Sequence, residues 1–257
     1  MVRRWFGRGG PSHPDPPGEV PDEDWSAVVR AWPTVALLPR SLASAVRALV
    51  PEFVAAHRWE GAKAVDVDDW MRLLIASQAC LPIAHLGLDR YARVSSIVVH
   101  GATLVTDGAQ RVGSTGVVSD TPMRLDGYAQ FRGPISLSWP AVVHDARHPR
   151  TGRNVVIHEF AHQLDMDGGF INGTPAGLDA SLHGRWARVF SAEFDAIRRG
   201  EIGELRDYAA TDAGEFFAVA CETFFTRPTA LAARHPAVYD LLRRYFDQDP
   251  AGWSVPG

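Results

Sequence analysis

The stretch that most constrains this chain is Val155-Val156-Ile157-His158-Glu159-Phe160-Ala161-His162-Gln163-Leu164-Asp165, a His-Glu-x-x-His motif set among apolar residues. On an α-helix, residues four apart lie on one face, so His158 and His162 present two imidazoles to the same point. That spacing suits one tetrahedral Zn²⁺. Glu159, the next residue along, faces a water on such an ion and can take its proton during attack on a carbonyl. The chemistry indicated is peptide hydrolysis. A five-residue match can also arise by accident in an ordinary helix. Here two imidazoles and a carboxylate sit inside a segment that otherwise wants burial, and buried polar groups need partners that a metal can supply.

The chain has 257 residues, 46% hydrophobic and 22% charged, which fits one large domain or two small ones with a core of their own. A net charge of −4 offers no basic field for nucleic acid, so no direct nucleic-acid partner is expected. Cys80 and Cys221 lie far apart in apolar, helix-like settings and are expected to be buried free thiols. No apolar run reaches membrane-spanning length and the N-terminus lacks a signal-peptide core, so the expectation is a cytoplasmic protein with no membrane association.

Residues 1–24 read as a flexible lead-in, rich in Gly, Pro and acidic residues, and 25–257 as a single domain. The spacing of Leu42, Val46, Leu49, Phe53 and Val54 predicts a helix from Pro39 to His57 with Ser41 as N-cap. A second helix is predicted from Asp66 to Ala79, stopped or bent by Pro82. Val- and Ile-rich residues from Arg93 to Thr106 suggest two strands around Gly101, and Gly127 to Val143 alternates as one half-buried strand. Such a strand either borders a cleft or is purely structural. The motif helix is expected to end near Asp167 at Gly168-Gly169, and 168–183 to form a loop rimming the cleft. Further helices are predicted over Arg185–Arg199, after Tyr208, and over Leu231–Phe246.

A catalytic zinc takes three protein ligands and leaves one position for water, so the two histidines need a third partner. A His-x-x-Gly-x-x-His continuation would require Gly at 165 and His at 168; Asp165 and Gly168 exclude it. The apolar helix after Tyr208 offers Glu215 and Glu222, seven residues apart and nearly on one face. Asp212 and Glu215 have capping-box spacing, which gives Glu215 an ordinary use. Glu222, deep among apolar residues, would be satisfied by a bond to a ligand histidine's N–H. The residues alone leave the third ligand open between the two.

The motif His-Glu-Phe-Ala-His-Gln-Leu-Asp, the upstream Gly-Pro-Ile-Ser-Leu-Ser-Trp and the downstream Asp-Tyr-Ala-Ala-Thr-Asp-x-x-Glu run together resemble the Mlc titration factor A (MtfA, DgsA anti-repressor) family of zinc metallopeptidases. The likeness covers about residues 25 to 250 in element order and is sharp from Gly133 onward. It implies an α+β, zincin-like fold related in its catalytic core to the Mop and anthrax lethal factor type of peptidase. It implies His158, His162 and Glu215 as ligands of one Zn²⁺, Glu159 as general base, and Tyr208 as an active-site tyrosine that stabilises an oxyanion or donates a proton. On the residues alone Tyr208 is equally a plain core tyrosine. It further implies aminopeptidase activity on small peptides and binding of a transcriptional repressor. The alternative is a non-catalytic anti-repressor module with a vestigial zinc site.

Overall fold

The computed structural model describes residues 18–63, 65–102, 133–165, 171–201 and 205–253, together with the backbone of five short strands between 104 and 129. The central sheet has the order β1 (Arg58–Gly61), β2 (Ser96–His100), β8 (Ile135–Ser138), β7 (Gly127–Ala129). β1, β2 and β8 run parallel, with Ile97 opposite Ile135 and Val99 opposite Leu137, and β7 returns antiparallel on β8 at the edge. Ile97, Val99, Ile135 and Leu137 are fully buried while their strand neighbours Val98 and Ser136 are only half-buried, the period-2 alternation of a sheet packed mainly on one face. Between β2 and β8 the chain makes an excursion of two nested antiparallel ladders: β3 (Leu104–Thr106) with β6 (Met123–Leu125), and β4 (Gln110–Val112) with β5 (Val117–Ser119).

Helices supply the rest of the core, giving the expected α+β architecture. α2 (Arg40–Ala56) and α3 (Asp69–Ile83) pack together, and the motif helix α5 (Val155–Asp165) lies against α3 and the sheet. Phe160 projects from α5 between Phe53 of α2 and Tyr91, with ring centroids at 5.4 and 4.7 Å. On its other side α5 packs most extensively on α7 (Ala213–Thr226), whose Phe216 and Phe217 meet the aromatic face of α6 (His183–Arg198), where Trp186 stacks on Phe190 at 4.1 Å. Cys80 and Cys221 are free and buried, as expected. No described helix is long and apolar enough to cross a membrane.

Several boundaries differ from the sequence reading. Helix α1 (Asp22–Ala31) begins inside the supposed lead-in, and Val20 before it is fully buried, its carbonyl accepting from Arg47 Nε at 2.9 Å. Three acidic residues in its first turn suit the helix N-terminus, a signal the short apolar pattern hid. Expectations for residues 1–17 lie outside the described residues. Ser41 is not the cap of α2. The N-cap is Pro39, whose ring fixes φ at −51° and which makes no side-chain cap bond. α3 starts at Asp69, later than predicted, because Asp68 Oδ1 accepts from Met71 N at 2.8 Å; the helix runs one residue past Pro82 before turning.

The predicted single strand over 127–143 is instead the β7–β8 pair followed by α4 (Trp139–Arg147). Ser138 caps α4 by accepting from Ala141 N, and Pro140 stands in the first turn where its missing N–H is harmless. The last predicted helix is two, α8 (Pro228–Arg234) and α9 (Pro236–Phe246), because Pro236 forces His235 out of helical geometry to φ −129°, ψ 58°. The described part of α5 ends at Asp165; the predicted stop at Asp167, Gly168 and Gly169 lies outside the described residues.

Since Phe160 ties the motif helix to α2 in a closed aromatic contact, Phe160→Ala is expected to destabilise the protein by roughly 3–5 kcal/mol. A lower urea midpoint with an unchanged m-value would report it.

Candidate metal centre

The N-terminus of α5 is held by side chains rather than left to solvent. Asn154 Oδ1 accepts from Ile157 N at 2.9 Å as the helix cap, Asp145 Oδ2 accepts from Val155 N at 3.1 Å, and Glu222 Oε2 accepts from Asn154 N at 2.7 Å. Two buried carboxylates at this helix end also complement its positive dipole. Asn154 Nδ2 donates to Gln78 Oε1 at 2.8 Å, so α3 joins the same network. The helix that carries the motif is therefore fixed in rotation and in height before any ion is considered.

His158 and His162 stand one turn apart with ring centroids at 4.9 Å and planes nearly perpendicular, and both are buried. Glu215, in the first turn of α7, brings Oε2 to 3.1 Å from His158 Nε2 and 3.5 Å from His162 Nε2. One ligand atom from each of the three residues lies within 4.8 Å of the others. Despite these short distances, Glu215 Oε2 is enclosed and accepts no aligned hydrogen bond among the described residues. Buried acceptors are normally satisfied, so lone pairs that converge without bonding one another fit a shared cation. Burial alone would push Glu215 up, yet His162 and His158 hold it well below the usual carboxylate range. Burial likewise opposes protonation of His158, but Glu222 and Glu215 outweigh it and hold this imidazole well above its usual value.

Glu222 occupies a different place. Its Oε1 meets His158 Nδ1 at 2.7 Å and also accepts from Arg206 Nη2. Glu215 thus shares the Nε2 side of both rings, whereas Glu222 holds the far nitrogen of one of them. Asp212 caps α7, its Oδ1 accepting from Gly214 N at 2.9 Å and Glu215 N at 3.0 Å, while the Glu215 carboxylate is turned to the histidines.

Glu159 is buried beside this cluster. Burial raises its pKa to about 7 against the lowering effect of His158 and His162, with Glu215 and Glu222 adding to the rise. Tyr208 lies on a 3₁₀ turn, Asp207–Ala210, with its ring centroid 5.9 Å from that of His158. Burial and then the Glu215 and Glu159 carboxylates push its phenol above the ordinary value.

Asp165, at the end of α5, does not orient a histidine. Its carboxylate accepts from the backbone of Asn172, Gly173 and Thr174 at 3.3, 2.7 and 2.9 Å, pinning the following loop beside the site. Gly173 is required there: φ is +77°, and a Cβ would meet the Ala213 carbonyl oxygen at 2.7 Å. The sequence reading missed Asn154, Asp145, Gln78 and Arg206. Asn154 carried a usable signal, an N-cap residue directly before the apolar run; the other three act across the fold and carried none.

A mainly helical α+β fold with a buried two-histidine, one-glutamate cluster between its His-Glu-x-x-His helix and α7 describes a metallopeptidase. The chain belongs to the family described as glucose-regulated metallo-peptidase M90, whose profile matches residues 15–247. It is similar to Mlc titration factor A of Salmonella arizonae, 32% identical over 79% of this chain and 82% of that protein, and to Mlc titration factor A of Salmonella agona, 31% identical over 79% and 78%. An uncharacterized Synechocystis protein is 29% identical over 88% of this chain and 84% of its own.

Replacing Asp165 by Ala strands three backbone donors that it now satisfies. The expected result is a loss of roughly 1–3 kcal/mol. Amide exchange at Gly173 and Thr174 should accelerate selectively, read by mass spectrometry on matched peptides.

Proposed function

We propose that this chain hydrolyses peptide bonds with one Zn²⁺ held by His158, His162 and Glu215. The carrying observation is the convergence of three buried ligand atoms, one of them an unbonded carboxylate oxygen, one residue from a buried glutamate. Imidazole and carboxylate donors without a thiolate suit zinc, and three ligands leave a position for the reaction. When bound, zinc would lower the pKa of water towards neutrality and polarise a carbonyl.

In this reading Glu159 is the general base. A carboxylate raised to about 7 can accept a proton from the attacking water and still release it to the leaving amine nitrogen. Tyr208, whose phenol stays protonated, donates to the oxyanion that develops on the carbonyl oxygen. Glu222 acts from behind, keeping the His158 Nδ1 proton in place so that the Nε2 lone pair points to the ion.

The resemblance of His-Glu-Phe-Ala-His-Gln-Leu-Asp and its downstream partner segment supports aminopeptidase-like cleavage of small peptides. Free buried cysteines support a reducing, cytoplasmic setting. One buried core running from Val20 to Phe246 supports reading residues 25–257 as a single domain, with Val20 and the start of α1 from the expected lead-in packed into it. A second reading, capture of a transcriptional repressor with or without turnover, is supported by the name of the Salmonella relatives.

Glu159→Gln is expected to retain zinc and to lose turnover of an aminoacyl anilide or short peptide by roughly 10²–10⁴-fold. Glu215→Ala is expected to lose the metal itself in elemental analysis, while Glu222→Ala retains it with weaker affinity. Equal turnover by wild type and Glu159→Gln would leave the binding-module reading standing alone.

A further inference from the structure

Behind Glu222, which steadies His158, stands Arg206, a charged side chain to which the hydrolytic reading gives no part. Glu222 has only 2% of its side chain exposed, and its Oε1 is shared between His158 Nδ1, at 2.7 Å, and Arg206 Nη2. Its other oxygen accepts the Asn154 backbone N–H. Arg206 reaches in from the surface with 30% of its side chain exposed, and its enclosed Nε has no hydrogen-bond partner among the described residues. Two residues further on is Tyr208.

We propose that Arg206 is a positioning residue for the metal centre, fixing Glu222 against His158 and at the same time docking the segment that carries Tyr208. The inference rests on His158 being a metal ligand. An imidazole that lends Nε2 to a cation carries no charge of its own, so the buried carboxylate on its Nδ1 then has no positive ring beside it. A cation on Nε2 stands a full ring away from that carboxylate, and buried carboxylates without a close counter-charge are costly. The guanidinium supplies that counter-charge from the side away from Nε2, without competing for the ligand lone pair. Its planar fork also fixes direction as well as charge, which an ammonium does not. Exposed ion pairs usually contribute little, but here the carboxylate end is enclosed, where solvent screens weakly. One contact therefore sets both the aim of a ligand ring and the position of the phenol.

The test measures zinc affinity of the full chain by competition with a chromophoric chelator, alongside thermal melting of each metal-free protein. Wild type, Arg206→Met, Arg206→Lys, Glu222→Gln and the Arg206→Met/Glu222→Gln double variant are compared. Arg206→Met is expected to bind zinc about tenfold more weakly, as other outer contacts of metal ligands do. Its metal-free melting temperature should stay near wild type, Arg206→Lys should recover part of the affinity, and the double variant should bind no worse than Glu222→Gln. Should Arg206→Met prove too unstable to purify, Arg206→Gln takes its place. Wild-type affinity in Arg206→Met, a lowered melting temperature with unchanged affinity, or losses that multiply in the double variant would each overturn the inference. Absence of zinc binding by wild type would instead bring down the site reading on which it rests.

Discussion

The contact between α5 and α7 is the constraint on which the rest of the site depends. One helix contributes both imidazoles and Glu159, the other contributes Glu215 and Glu222, and none of these groups reaches the others unless the two helices pack in one register. Aromatic residues brace the two helices from their outer sides: Phe160 holds α5 against Phe53 and Tyr91, and Phe216 and Phe217 hold α7 among the rings of α6. Burial of large aromatic surfaces supplies the driving force, and the close-packed interior makes the relative position of the helices discrete rather than adjustable. The polar network at the start of α5 then fixes rotation, since Asn154, Asp145 and Glu222 each take a backbone donor there.

This arrangement explains how six buried titratable side chains, His158, Glu159, His162, Asp165, Glu215 and Glu222, coexist. Each carboxylate has a separate partner: Glu215 the Nε2 side of the rings, Glu222 the Nδ1 of His158, and Asp165 three loop amides. Glu159 has no ion pair of its own among the described residues, so burial, only partly offset by His158 and His162, raises its pKa to about 7. A carboxylate so placed is poised to exchange a proton near neutral pH, the property that hydrolysis asks of a base.

How much of this was legible beforehand follows from the range of each interaction. The two histidines and Glu159 were readable because a helix places i and i+4 on one face whatever surrounds it. The choice between Glu215 and Glu222 was not, because both lie on one face of α7 and only the packing of α5 against it decides which oxygen meets Nε2 and which meets Nδ1. Elements with a long apolar stripe, such as α2 and α6, were found nearly to the residue, while ends governed by single caps were missed: Ser138 turned a predicted strand into α4, and Pro236 cut a predicted helix in two. Arg206 had no local signal at all, since its partner lies on another element.

The central claim is that the Nε2 atoms of His158 and His162 and the carboxylate of Glu215 hold a single zinc. X-ray absorption at the zinc edge on the purified, metal-loaded chain tests it most directly. The account predicts one zinc per chain in an all-nitrogen and oxygen shell, with two imidazole contributions at about 2.0–2.1 Å. A shell containing sulfur at about 2.3 Å, or zinc bound without imidazole scattering, would contradict it.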